Sequence, residues 1–227
     1  MEPSQKSLLH HKASGLLFEL AEKEEGEREE FLEGWRHLFK ASEEEARKFL
    51  EEESNRFLKN RNFISLTKLI CGYKVFLDYK MEGFPLVTET VATGIKEMFP
   101  SSSKSSDILD LLADCIAQIY TTISNNISTK PLLLYQDLYN LCYSFSQVLR
   151  QSASPEREHH WFSYVARAFS LLRRYGHHIG EEEVDKLLRW LDTIWKRTED
   201  KIWATEVKSL YPVSYTHLRA HETEADL

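Results

Sequence analysis

Glycine and proline are scarce, 8 and 6 among 227 residues. A fold of short strands and tight turns needs both in number, so long helices with short connections are favoured over a β architecture. Cysteine is scarcer still. Cys71, Cys115 and Cys142 are odd in number and each lies in an apolar run, so they read as reduced core residues of an intracellular, cytoplasmic or nuclear, protein. No apolar run approaches a membrane span, and the opening "MEPSQKSLLHHKASGLLF" lacks the uninterrupted apolar region of a signal peptide. Without such a signal the sequon at Asn126-Ile127-Ser128 carries little weight. A surplus of positive charge is missing as well. The formal charge of −7 and a pI near 5.8 argue against a general polyanion binder and leave room only for a local basic stripe. There is no glycine-rich phosphate loop, nucleophile elbow, paired CxxC or HExxH. No catalytic residue, cofactor or metal ligand is therefore assigned, and the chain is not expected to be an enzyme.

What is present is ordinary globular material. Hydrophobic residues make up 42% and charged residues 29%, enough to bury a sizeable core without staples. Apolar spacing and punctuation mark nine helical segments. Leu9, Ala13, Leu16, Leu17 and Leu20 recur at three and four along the first. Phe31, Leu32, Trp35, Leu38 and Phe39 share one arc of about 120° on the second. Ser42 followed by Glu45 has capping-box spacing, with the serine accepting the Glu45 amide and the carboxylate reaching back. The fourth segment, "FISLTKLICGYKVFLDYK", is apolar around most of its circumference and needs neighbours on several sides. Phe84-Pro85 opens the fifth, and Asp107 is placed as the cap of the sixth. The seventh, "PLLLYQDLYNLCYSFSQVL", is the best candidate for the most buried element.

From the fifth helix onward the starts fall about 22 to 26 residues apart, so a helix pair occupies roughly 45 to 50 residues. Together with a faint echo between "FLEGWRHLFK" and "FLEEESNRFLK", this spacing resembles paired-helix repeats of the HEAT and armadillo kind. The resemblance implies an all-α, α-solenoid-like array of antiparallel helix pairs; a compact helical bundle is the alternative. One all-helical domain is expected over residues 1–212, with "PSSSKSS" at 100–106 as a flexible connector. Residues 213–223, "VSYTHLRAHET", resemble the conceptual translation of a sequencing adapter. On that reading 213–227 is a non-native, disordered tail, the last native residue is Pro212 or close to it, and the chain is an N-terminal piece of a longer protein. The pattern of His217, His221 and Glu222, which would mimic half of a metal site on a helix, is then discarded.

The histidine doublets at 10–11, 159–160 and 177–178 do not suggest a metal either, because adjacent helical residues point about 100° apart. The glutamate clusters sit in first turns or on polar faces, where they complement helix dipoles. Two surfaces rise above this background. On the ninth helix Lys186, Trp190 and Arg197 flank the apolar arc, a composition suited to anchoring a protein partner. On the eighth, His160, Arg167 and Arg174 recur every seven residues as a basic stripe. The expected role is an intracellular scaffold or adaptor that binds other protein subunits; the alternative is a nucleic-acid-associated helical subunit using the stripe.

Overall fold

The computed structural model describes residues 3–23, 28–80, 82–99, 105–125, 132–152, 159–175 and 180–197. Side chains at 3–4, 105–107, 151–152, 159–160, 162–163 and 190–197 lie outside that description. The described residues form nine α-helices and no strand: α1 (Pro3–Lys23), α2 (Arg28–Ala41), α3 (Glu43–Asn60), α4 (Phe63–Lys80), α5 (Pro85–Met98), α6 (Ser105–Asn125), α7 (Leu132–Ser152), α8 (His159–Tyr175) and α9 (Glu181–Arg197). The all-α expectation holds, and none of these helices is long and apolar enough to cross a membrane. Residues 198–227, including the adapter-like stretch, and most of the connector at 100–106 lie outside the described residues.

Local signals account for several boundaries. Ser42 is the N-cap of α3 and its hydroxyl accepts the Glu45 amide at 3.3 Å. The reciprocal half of the box is not made: the Ser42 amide already donates to the Leu38 carbonyl, because α2 runs almost directly into α3, and Glu45 turns instead to His11 at 3.4 Å. Asn62 caps α4 by accepting the Ser65 amide at 2.8 Å. Proline follows the Phe84 N-cap of α5, as its missing amide hydrogen permits. Helix α6 begins at Ser105, so Asp107 lies inside the first turn rather than at the cap.

Every extensive helix–helix contact among the described residues joins elements one or two places apart in the chain. Helices α2, α4, α6 and α8 touch in succession, as do α3, α5 and α7, and contacts between chain neighbours tie the two rows together. This packing suits a bundle or a solenoid. One continuous hydrophobic cluster runs through the helices from Phe18 to Leu188.

Helix α4, not α7, is the most enclosed. It touches α2, α3, α5 and α6, and every residue from Leu66 to Tyr73 is buried, Thr67 and Lys68 included. The inward positions of α7 (Leu134, Leu138, Leu141, Cys142, Phe145 and Leu149) are buried as expected, but Leu132 and Leu133 are exposed at its start. Gly72 makes the tight packing of α4 possible. A Cβ there would lie 2.5 Å from the Trp35 ring and 2.7 Å from Leu50. On α2, Phe31, Leu32, Trp35, Leu38 and Phe39 all point inward, as their shared arc requires. On α1 the outcome is reversed. Ser14, Phe18 and Ala21 form the buried side, while Leu9, Leu16 and Leu20 face outward, because α2 is the one helix in extensive contact with α1.

Candidate protein-binding surfaces

The three cysteines are free and buried, as their apolar surroundings suggest. Burial pushes the Cys115 thiol up to about 12 and raises Cys71 and Cys142 as well, so none supplies a thiolate at neutral pH. Among the described residues no group of three or more His, Cys, Asp or Glu is arranged to hold a metal ion. The rings of the first histidine doublet diverge: His10 Nδ1 lies 2.8 Å from His37 Nδ1, and His11 faces Glu45. Burial and the nearby His37 lower the pKa of His10.

The main buried polar cluster centres on Asp137 of α7. Its carboxylate accepts the Tyr73 hydroxyl at 2.5 Å, the Phe84 amide at 2.6 Å and the Thr88 hydroxyl at 2.9 Å. Asn140 adds a hydrogen bond to Thr88 Oγ1 at 3.2 Å. Burial drives the Asp137 carboxyl up to about 6, against three hydrogen bonds that favour its charged form. Burial, then the adjacent carboxylate, raises the Tyr73 phenol well above its usual range. Asp137 has no solvent exposure, and every named partner is a protein atom. The cluster ties α4, the start of α5 and α7 together. Nothing in the sequence distinguished Asp137 from a solvated helical aspartate.

A second internal site lies under α1 and α3. Lys68 of α4 is buried, with its ammonium 3.0 Å from Glu22 and 3.4 Å from the buried Glu53. The same ammonium stands 4.5 Å from the Phe18 ring centre and 5.3 Å from that of Phe49, close enough for cation–π attraction. Phe18 and Phe49 stack at 5.7 Å, and Trp35 meets Phe18 edge-on at 5.4 Å while donating its indole N–H to the Lys68 carbonyl at 2.8 Å.

Above this aromatic group opens a groove of about 380 Å³ between α1 and α3. Phe18, Leu38 and Phe49 line its apolar floor, and Ser14 and Gly15 form the α1 wall. His11, Glu45, Lys48 and Glu52 supply a charged rim. Of the helices two places apart, α2–α4, α3–α5, α4–α6, α5–α7 and α6–α8 are in extensive contact, whereas α1–α3 and α7–α9 are not; the groove occupies the gap between α1 and α3. Gly15 contributes directly, for a Cβ built there would meet nothing within 4 Å. The helical spacing of α1 gave no sign of a groove, because the gap belongs to the packing of α1 against α2. The lone glycine in a leucine-rich helix was the available signal.

The surfaces singled out from the sequence stand elsewhere. Lys186 is exposed and donates to Glu182 at 2.6 Å, which raises the lysine and lowers the carboxyl. The side chains of Trp190, Arg197 and His160 lie outside the described residues. Arg174 is exposed, with its guanidinium 5.2 Å from the Tyr175 ring centre. Arg167 is half-buried, and its Nε is buried without a hydrogen-bond partner. Between α8 and α9, Arg173 approaches Asp185 at 3.4 Å. No family model, curated protein or solved structure matches the chain.

Proposed function

We propose that the chain is a helical scaffold that binds other proteins, working in the cytoplasm or nucleus, and that the α1–α3 groove is a principal contact. The observation that carries this reading is an apolar, aromatic-floored recess at the one place in the first helices where the succession of contacts is interrupted. Stacked helix pairs bind through such concave surfaces, and a few large anchors supply most of the affinity. The chemistry of the rim selects the occupant. Glu45 and Glu52 lie two helical turns apart on α3 with Lys48 between them, so the rim favours a large apolar anchor flanked by lysine or arginine. The three buried thiols support a reducing compartment. The nucleic-acid alternative has less support, since Arg167 is half-buried and the whole chain is acidic.

A random peptide library displayed against the protein tests the reading. Selected peptides are expected to carry an aromatic or leucine anchor beside a basic residue, and to lose binding to Gly15→Leu, which fills the recess from a position with free space around it. An absence of selectable peptides, or peptides that bind Gly15→Leu equally well, would contradict it.

A further inference from the structure

The outward face of α1 is apolar where the end of a helical stack is normally polar. Leu9, Leu16 and Leu20 are 55%, 68% and 43% exposed, and with the half-buried Ala13 they fall within an arc of about 60°. The helix buries Ser14, Phe18 and Ala21 on its other side, so the stripe is not a frayed part of the core contact. The groove is also separate, since His11, Ser14, Gly15 and Phe18 line it from the side of the helix opposite the stripe. A contiguous apolar stripe of this kind marks an interaction surface.

Its pattern identifies the partner. In an antiparallel pairing about an axis between residues 14 and 15, Leu9 faces Leu20 of the other copy and Leu16 faces Ala13, large against small at the centre. Lys12 and Glu19 are both exposed and lie on the same flank of the stripe, and among the described residues neither has a charged partner. A two-fold axis brings that flank of one copy against the same flank of the other. Lys12 then lies about two residues, or roughly 3 Å along the axis, from the level of Glu19 in the other copy, within reach of two long side chains. The ion pair forms twice by symmetry. We propose that α1 is a self-association surface, through which two copies of the chain pair antiparallel along Leu9, Leu16 and Leu20 with reciprocal Lys12–Glu19 contacts. The interface is one helix wide, so the dimer is expected to be weak and concentration-dependent. It does not rest on the groove having a partner.

Sedimentation equilibrium of the full chain across a wide concentration range tests this. The mass is expected to rise from 26.6 kDa toward twice that value. Leu16→Asp should remain monomeric with unchanged helical circular dichroism, because the side chain it replaces is exposed. Lys12→Glu should weaken association about tenfold by setting like charges together twice. Lys12→Glu combined with Glu19→Lys should return it to the wild-type range. A wild-type chain that stays monomeric throughout would overturn the proposal, as would a dimer indifferent to Leu16→Asp. A double swap that fails to recover association would overturn the antiparallel pairing.

Discussion

At Asp137 two physical demands oppose one another. Three donors converge on the carboxylate and favour its charge, while complete burial disfavours it more strongly. The folded-state value of about 6 stands above the ordinary 3.8, so the folded protein binds this proton more tightly than the unfolded chain does. The resulting stabilisation is complete below the ordinary value and is lost as pH rises toward 6, with a slope of at most about 1.4 kcal/mol per pH unit. The geometry accommodates the proton. Thr88 Oγ1 also lies 3.1 Å from the Pro85 carbonyl, so a protonated Asp137 donates to Thr88 while Thr88 donates to Pro85. Asp137→Asn reproduces that donor pattern and is expected to cost under about 1 kcal/mol, whereas Asp137→Leu strands the Tyr73 and Phe84 donors and should cost about 3 kcal/mol or more. Melting temperatures between pH 4 and 7 check both points, since the difference between wild type and Asp137→Asn should change with pH only if the carboxyl titrates in that interval.

Among the elements, α4 and α1 show where helical periodicity is informative and where it stops. The all-round apolarity of α4 required neighbours on several sides, and four helices surround it. Its close approach to α2 and α3 depends on Gly72, so Gly72→Ala should destabilise by about 1 to 3 kcal/mol through overpacking. Gly15→Ala is the matched control. It faces open space in a helix and should stabilise by about 0.5 to 1 kcal/mol; denaturant midpoints for the two variants should move in opposite directions. The arc on α2, the Ser42 cap and the Phe84-Pro85 start were all legible, because each depends on spacing within a single helix. The outward turn of Leu9, Leu16 and Leu20 was not, because periodicity identifies an apolar face without saying whether another helix lies against it. Asp137 and Lys68 were hidden for a related reason. A polar residue in a helix reads as solvated until partners remote in sequence, such as Tyr73 or Phe18, are brought beside it.

In the whole molecule, the order of helix contacts links architecture to use. Contacts limited to near neighbours in the chain leave long exposed surfaces, and the break in that order between α1 and α3 leaves a recess with an aromatic floor. The surface at Lys186 lies on α9, at the opposite end of the chain order, which makes the two candidate regions separable by experiment. Hydrogen exchange of the protein with and without a library-selected peptide locates the contact directly. The account predicts added protection in residues 11–18 of α1 and 45–52 of α3, with α8 and α9 unchanged. Protection confined to α8 and α9, around Arg174 and Lys186, would contradict it.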